Sequence, residues 1–495
     1  MALSVSSDAD QLNSRRWWGL AVICLAQLIV MLDTTIVNIA LPAAQHDTGL
    51  SDANRQWVIT GYTLAFGGLL LLGGRLGDLM GRRRAFVVAM CGFVAASAVG
   101  GAATGGGFLI GARIAQGTFA ALLMPTILAL LTTSFTEPRE RAKAFGIFSS
   151  IASAGGALGL VGGGVITEYL DWRWCFYVNV PLGVVVVAGA VLLPELTAHR
   201  GARIDVPGAL LSFTGMTLLV YGFSEAASTG WADPRVAGCL GAAVVVLAGF
   251  VWLQARVRHP LLPLRVLTDR NRAGAFLAIG LTMMGLFGLM FILTYQLQEV
   301  MRFSALQTGL AILPATVGTV LVATQVTPRL MPVLPVRLLV VPGMLLAALG
   351  LLNLGRIAPD SSYTTTLLPT QVLVGIGLGL VMSPCINVAT SNVAPATIGV
   401  VSAFVSTSQQ IGGSIGVALL NAIAITVTSN AVAAAGPRAD TAYATADGFA
   451  VAGVSAAAIV AVGAALAGAL INADLRKPRA ADPQPGREAK EALAT

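Results

Sequence analysis

Apolar segments long enough to cross a lipid bilayer recur at about 14 places along this chain of 495 residues. Hydrophobic residues make up 56% of the sequence and charged residues only 11%, whereas a soluble protein carries roughly a quarter charged residues. Such a composition cannot cover a water-exposed surface. The sequence therefore predicts an all-α membrane protein that crosses the bilayer many times.

The basic residues predict how these spans are oriented. If the N-terminus is cytoplasmic and the spans alternate, 23 of the 30 Lys and Arg residues fall in cytoplasmic segments and six in outer loops, which leaves Arg113 inside a span. Positive charge concentrates on the cytoplasmic side of membrane proteins. We therefore expect a multi-pass protein of the cell inner (cytoplasmic) membrane with both termini in the cytoplasm.

Asp33 is a carboxylate inside the first apolar run, in the stretch VMLDTTIVNIALP from Val30 to Pro42. An ionisable group deep in a span costs from about 2.5 kcal/mol upward, and it usually marks a pathway, a proton relay or a paired site. A structural acid satisfied by neighbouring donors is the alternative. We interpret Asp33 as a group that binds and releases a proton as its exposure changes.

Arg113 opens the fourth span, in RIAQGTFAALLMPTILALL. It lies with Gln116, Ala120 and Met124 at the spacing i, i+3, i+7, i+11, which places all four on one face of a helix. That face is predicted to line a cavity with a cation at one end. The alternative is an interfacial arginine whose side chain reaches the headgroups.

The inner loop GGRLGDLMGRRRAF is short, rich in glycine and charged. Gly77 and Gly81 permit a tight connection between two helix ends, and Asp78 can cap a helix or pair with an arginine. Cytoplasmic positive charge alone accounts for part of this loop. It does not explain the spacing of Gly, Asp and Gly.

The fifth span carries a glycine pattern that predicts a groove where another helix approaches or flexes. Ordinary packing of small residues is the alternative. The thirteenth span repeats the pattern and adds polar side chains that can hydrogen-bond across helices or contact a substrate. The residues concerned are Gly146, Gly155, Gly159, Gly163 and Gly164 in the fifth span, and Gln409, Gln410 and Asn421 in the thirteenth.

The residue inventory excludes several classes of function. The net charge of +7 comes from arginines in short loops, with no basic patch interleaved with aromatic residues for nucleic acid. The five cysteines are scattered and the three histidines lie far apart, so neither a disulfide framework nor a metal site is expected. No GxxxxGK[ST] phosphate loop occurs, and no nucleophile constellation or soluble signalling domain is recognisable. We therefore expect no cofactor, no nucleic-acid partner and no enzyme activity.

Taken together, these stretches resemble the major facilitator superfamily, specifically its fourteen-span drug:proton antiporter branch, over nearly the whole chain. LDTTIVNIALP resembles its first-helix signature, GRLGDLMGRRR its loop signature, RIAQG its fourth-helix signature, and WRWCFYVNVPLG a stretch of the same branch. The fifth-helix antiporter signature is matched at its glycines, although Leu160 stands where that signature usually has proline. The second-half loop TPRLMPVLPVR is a poor copy of the Gly-Asp-Gly signature.

The resemblance implies a major facilitator fold, with two six-helix bundles around a substrate cavity plus two extra central transmembrane helices, 14 spans in all. It divides the chain into five parts. These are a cytoplasmic N-terminus at 1–16, an N-terminal bundle at 17–195, the extra helices seven and eight at 196–260, a C-terminal bundle at 261–473 and a disordered cytoplasmic tail at 474–495.

The resemblance also implies roles for individual residues. It assigns proton coupling to Asp33 and Arg113. It assigns conformational gating to Gly74, Asp78, Gly81, Arg82, Gly155, Gly159 and Gly163. The residues that it implies line the substrate cavity are Asn38, Tyr62, Gln116, Met124, Gln409 and Gln410.

The predicted function is proton-coupled export of amphiphilic small molecules, such as drugs or antibiotics, by alternating access. The predicted partners are the small-molecule substrate, protons and membrane lipids, with the chain acting as a monomer. Two alternatives stay open. One is export of an endogenous lipid, siderophore or self-made metabolite, and the other is uptake by symport, against which the glycine pattern of the fifth span argues.

Overall fold

The computed structural model describes most of the chain, and the tail predicted from residue 474 onward lies outside the described residues. The described ranges are 2–52, 54–135, 137–195, 205–257, 260, 264, 268–359, 361–391, 398–435 and 440–472. Within them, the backbone alone is described at 2–15, 71, 78, 138–139, 141–143, 145–146, 149–150, 152–153, 224, 227–228, 398–400 and 402–403.

Helices make up nearly all of the described chain, which contains no strand. They are α1 (Ala2–Thr48), α2 (Trp57–Met80), α3 (Arg82–Gly101), α4 (Gly106–Ser134), α5 (Pro138–Tyr169), α6 (Trp174–Tyr177), α7 (Asn179–Gly189), α8 (Val206–Thr229), α9 (Pro234–Arg256), α10 (Arg270–Tyr295), α11 (Ala305–Leu321), α12 (Thr327–Leu330), α13 (Arg337–Asn353), α14 (Leu368–Thr390), α15 (Ile398–Ala435) and α16 (Thr441–Leu470). Short 3₁₀ or π segments extend several of them, at Ala190–Leu192, Gln296–Val300, Val322–Val326, Leu354–Arg356 and Tyr363–Leu367.

Within the described residues, 12 helical segments are long and apolar enough to cross a membrane. Their outward faces are apolar as well, as on α9, where Val245 is 71% and Trp252 is 57% exposed. Large apolar side chains on an outer surface require a lipid environment. The protein is therefore an all-helical, multi-pass membrane protein, as the composition predicts.

The helices form two groups that are consecutive in the chain. We call α1 to α7 the first half and α10 to α16 the second half. The halves meet where α2 packs on α15 and where α5 packs on α11. Helices α8 and α9 pack on each other, and α8 also contacts α2 and α15. Only 17% of the most apolar window of α9 is buried, so this pair lies at the periphery.

The buried apolar residues show that the halves share a core at one end of the bundle. One cluster joins Ile36 and Val58 of the first half to Ile292 and Tyr295 of the second. A second cluster, between Leu20 and Leu193, contains only residues of the first half. The shared core lies near residues 49–56, which link α1 to α2, and we call this the closed end.

Glycines let α5 lie directly against the part of α1 that carries Asp33. A Cβ atom added at Gly155 would lie 2.9 Å from the Cβ of Met31, and one at Gly163 would lie 3.0 Å from the Ile36 carbonyl oxygen. A Cβ at Gly159 would collide with Thr35 Oγ1. The predicted groove in the fifth span is thus filled by α1, and α5 runs unbroken through Leu160.

Candidate functional site

Asp33 lies on α1 with no exposed surface, and three side chains donate hydrogen bonds to its carboxylate. Arg113 Nη1 donates to Oδ2 at 2.6 Å and forms an ion pair with it. Gln116 Nε2 and Asn179 Nδ2 each donate to Oδ1 at 2.9 Å. The donors come from α4 and α7, so the acid is held where three helices meet.

Arg113 is 2% exposed, deep inside the first half. The alternative of an interfacial arginine is therefore wrong. Its Nε donates to the Val58 carbonyl oxygen at 3.0 Å, and Nη1 also donates to Gln116 Oε1 at 2.9 Å. The guanidinium carbon lies 4.3 Å from the centroid of the Tyr62 ring, on α2. Arg113 consequently has favourable contacts besides the one with Asp33.

Ser97 of α3 completes the cluster. Its Oγ accepts a hydrogen bond from Gln116 Nε2 at 2.6 Å and another from Asn179 Nδ2 at 3.0 Å. The two amides therefore bridge Ser97 to the carboxylate. We call Asp33, Ser97, Arg113, Gln116 and Asn179 the buried ion-pair cluster.

The cluster is a buried ion pair in which both partners make further hydrogen bonds. Removing two charges from water is costly, and a short ion pair with further hydrogen bonds on both partners offsets most of that cost. Loss of either charge leaves the other uncompensated in a dry site.

Sequence reasoning located part of this cluster. The sequence indicated Asp33, Arg113 and Gln116, and also Tyr62, whose ring stacks on Arg113. Ser97 and Asn179 were missed as site residues. Asn179 lies in the quoted stretch WRWCFYVNVPLG, so a signal was present, whereas a serine among small residues of the third span gave none.

The other residues predicted to line the substrate cavity are not part of the buried ion-pair cluster. Asn38 Nδ2 donates to the Thr34 carbonyl oxygen within α1, and Gln409 Nε2 lies 3.8 Å from Met382 Sδ. Met124 is half-buried against the core of the first half. Gln410 packs where α15 crosses α2: its Cβ would lie 2.8 Å from a Cβ added at Gly67.

The loop between α2 and α3 is a single tight turn. Gly81 has φ of +84°, a conformation that glycine adopts without strain. A Cβ at Gly74 would lie 3.6 Å from Pro125 Cβ of α4, in ordinary contact, and the Arg82 side chain folds back toward Gly77. The side chain of Asp78 lies outside the described residues.

At the closed end, four side chains form a ring of contacts that crosses from one half to the other. Asp52 Oδ1 accepts from Arg55 Nη1 at 3.0 Å and from Gln45 Nε2 at 2.8 Å. Tyr295 Oη donates to Gln45 Oε1 at 2.7 Å, and the Arg55 guanidinium lies 3.6 Å above the Tyr295 ring. We call Gln45, Asp52, Arg55 and Tyr295 the latch.

Further hydrogen bonds also join the halves near the latch. Gln298 Nε2 donates to the Ile39 carbonyl oxygen at 3.0 Å, and the backbone N–H of Leu306 donates to Glu168 Oε2 at 3.0 Å. Helices α5 and α11 also approach closely there, because a Cβ at Gly309 would collide with the Leu160 carbonyl. Polar and steric contacts together close this end of the bundle.

Comparison with known proteins adds independent information. The family model described as Major Facilitator Superfamily matches residues 23–417. The chain is 48% identical over 476 residues to the puromycin resistance protein pur8 of Streptomyces alboniger, covering 95% of this chain and 94% of that protein. It is 39% identical to the cephamycin export protein CmcT of Amycolatopsis lactamdurans, covering 83% and 85%.

Solved structures share the fold at low sequence identity. A bacterial homologue of the human lysosomal transporter Spinster, in an inward-facing and unoccupied conformation, has a TM-score of 0.65 at 16% identity and covers 94% of this chain and 99% of that one. A peptide transporter of the POT family has a TM-score of 0.67 at 18% identity, covering 93% and 98%. At these identities the likeness concerns the fold alone.

Proposed function

We propose, from the premise that the chain belongs to the Major Facilitator Superfamily, that it exports drugs or antibiotics across the cytoplasmic membrane in exchange for protons. As a member of this family the chain is a transporter of small molecules, not an enzyme. Relatives that match most of its length carry the names of resistance and export proteins for puromycin and cephamycin. The observation that carries the proton coupling is the ion pair of Asp33 and Arg113, buried inside a membrane domain.

The proposed architecture has 14 spans. Besides the segments that meet both length and apolarity, α2 has 24 residues and α5 has 32, and about 20 suffice to cross a bilayer. The proposed units are a first bundle at 17–195, the extra pair α8 and α9 within 196–260, and a second bundle at 261–473. The distribution of arginines supports cytoplasmic termini, which puts the closed end on the outer side.

The proposed cycle begins from the closed outer end. Opening that end exposes Asp33 to outer protons, and a proton on the carboxylate removes its attraction for Arg113. Arg113 then keeps its hydrogen bonds to the Val58 carbonyl and Gln116 Oε1 and its contact with the Tyr62 ring, so the buried cation still has favourable partners. Substrate leaves while Asp33 takes up the proton. Release of the proton inside restores the ion pair and resets the cavity.

The proton gradient can supply the necessary energy. One charge moving down about 150 mV yields roughly 3.4 kcal/mol. Raising a substrate against a hundredfold concentration ratio costs about 2.7 kcal/mol. One electrogenic proton per substrate therefore suffices for modest export.

The remaining roles belong to the same proposal. Substrate would enter between the halves, and the chain would work as a monomer among lipids. The gating residues are proposed to be Gly74, Asp78, Gly81, Arg82, Gly155, Gly159 and Gly163. The proposed cavity side chains are Asn38, Tyr62, Gln116, Met124, Gln409 and Gln410.

Transport in everted membrane vesicles tests the proposed function. Puromycin, cephamycin, tetracenomycin C and lincomycin are suitable probes, since relatives carry those names. Because everted vesicles take up what a cell exports, we expect at least one probe to accumulate when the vesicle interior is acidified, and accumulation to stop when nigericin collapses the pH gradient. Loss of preloaded probe on acidification would support the uptake symporter, and accumulation that survives nigericin would exclude proton coupling.

Substitution of Tyr295 by leucine is expected to loosen the closed end. The change removes both the stacking surface under Arg55 and the hydrogen bond to Gln45, each worth about 1 kcal/mol. With spin labels at Ser51→Cys and Asn430→Cys in a cysteine-free background, the measured distance distribution should gain a longer component. Tyr443→Leu, an exposed tyrosine of α16, is the matched control. An unchanged distribution in the Tyr295 variant would show that the latch does not hold the halves.

A further inference from the structure

Asn179 is fully buried at the first position of α7 and contacts the acid directly. Its Nδ2 group donates one hydrogen bond to Asp33 Oδ1 at 2.9 Å and another to Ser97 Oγ at 3.0 Å. An amide NH₂ has two hydrogens, so both are used. Asn179 thereby ties the acid of α1 to α3 and α7.

We infer that Asn179 is a positioning residue, which holds the Asp33 carboxylate through a direct hydrogen bond and thereby influences how export depends on pH. The inference rests on the proposed function, because it assigns a role within the proton exchange. Asn179 donates to a carboxylate oxygen, and a hydrogen bond from a donor stabilises the charged acid more than the neutral one.

The groups around Asp33 are few, and Asn179 differs from most of them because it is an uncharged donor to the carboxylate. Arg113 of α4 supplies the positive charge, and the other titratable groups near the acid are Tyr62 of α2 and Cys175 of α6. Neither Tyr62 nor Cys175 hydrogen-bonds to the carboxylate. Among the described side chains, the neutral donors to Asp33 are the amides of Gln116 and Asn179.

The two amides differ in what else they hold. Gln116 also accepts from Arg113 through Oε1, so its loss would disturb the cation as well as the acid. Asn179 makes no hydrogen bond to Arg113, and its own Oδ1 has no hydrogen-bond partner among the described residues. Changing Asn179 therefore removes hydrogen bonds to Asp33 and Ser97 without removing a hydrogen bond to Arg113.

Asn179 also explains how α7 is coupled to the proton. Helix α7 packs on α1 and α3, and it begins at the residue that touches the carboxylate. Once Asp33 is protonated, one oxygen carries hydrogen and the attraction for the amide is weaker. Protonation thus loosens the contact of α1 with α7 at the same time as its ion pair with α4.

The test compares the pH profile of export in everted vesicles for wild type and Asn179→Leu, which keeps the branched shape of the side chain and has no donor. At a fixed membrane potential, we expect the midpoint of the profile of Asn179→Leu to move to higher pH by about one unit, because a charge-assisted donor is lost. Asn179→Gln keeps an amide donor and should return the midpoint toward that of wild type. If Asn179 only filled space in the packing of α7, Asn179→Gln would not restore the midpoint.

Asn353→Leu is the matched control. Asn353 is a bridging amide of the second half whose Nδ2 donates to the Thr366 carbonyl oxygen and to Thr370 Oγ1, and among the described residues it has no hydrogen bond to an acid. We expect it to leave the midpoint unchanged.

The outcomes separate this inference from the proposed function. If wild-type export has no pH dependence, the proposed proton exchange fails whatever Asn179 does. If wild type is pH-dependent and the midpoint of Asn179→Leu coincides with it, the role of Asn179 alone is wrong. If Asn179→Leu fails to fold, Asn179→Gln is compared with Asn179→Ser, whose side chain is too short to reach the carboxylate. Coincident midpoints of the two pH profiles overturn the inference, and a higher midpoint for Asn179→Ser supports it.

Discussion

Substitution of Asp33 by asparagine is expected to reduce pH-driven export to the background of vesicles that lack the protein. Asparagine nearly matches aspartate in shape and can still accept from Gln116 and Asn179, but it cannot bind and release a proton. The measurement is probe accumulation in acid-loaded everted vesicles, with equal amounts of folded protein in each preparation. The loss should therefore be one of energy coupling rather than of the helical bundle.

Two controls make the result specific to Asp33. Asp447→Asn removes an exposed acid on α16, and it should export like wild type. Asp33→Glu keeps a titratable acid and should retain measurable export. Full pH-driven accumulation by Asp33→Asn would remove the acid from the mechanism.

Substitution of Arg113 by leucine is expected to lower the free energy of unfolding by about 3–5 kcal/mol, because it leaves the Asp33 carboxylate buried without its partner. The double variant Asp33→Asn, Arg113→Leu contains no buried charge at the site. It should therefore regain much of the lost stability without regaining export. Thermal unfolding in detergent, followed by intrinsic tryptophan fluorescence, compares the variants.

Arg356→Leu, which removes an exposed arginine of the second half, controls for the loss of a guanidinium. We expect its unfolding temperature to stay near that of wild type. The pair would contribute no mutual stabilisation if Arg113→Leu behaved like this control, or if the double variant were no more stable than Arg113→Leu.

Asp33 and Arg113 were identifiable without a structure because a charge is conspicuous within an apolar run. The energetic cost of such a charge is large, so its presence already implies a partner or a task. The identity of the partner was not identifiable. Eighty positions separate the two residues, and their contact depends on how α1 and α4 pack.

Uncharged polar residues gave a weaker signal. Ser97 and Asn179 carry no charge, and polar residues of this kind commonly hydrogen-bond between membrane helices, so they stand out less than Asp33 and Arg113. Tyr62 was assigned to the substrate cavity, yet its ring faces Arg113 at 4.3 Å from the guanidinium carbon. A side chain on α2 can face substrate, lipid or a neighbouring helix, and the packing of α2 on α4 selects among these.

The contacts of the latch were even harder to predict from the sequence. Arg55 was counted in the sequence simply as one basic residue of an outer loop. In the structure it stacks on Tyr295, a residue of the opposite half that lies 240 positions further along the chain. No local pattern encodes a contact between residues so far apart in the chain.

The amino-acid sequence alone determined that this chain is a helical membrane protein, because lipid excludes unpaired backbone groups and a chain with 11% charged residues cannot face water throughout. It also determined which two charges are costly enough to matter. Only the tertiary structure decided that these charges neutralise each other, which amides hold the acid, and which end of the bundle is closed. Those features depend on distances of a few ångströms between separate helices, and hydrophobic patterning does not specify such distances.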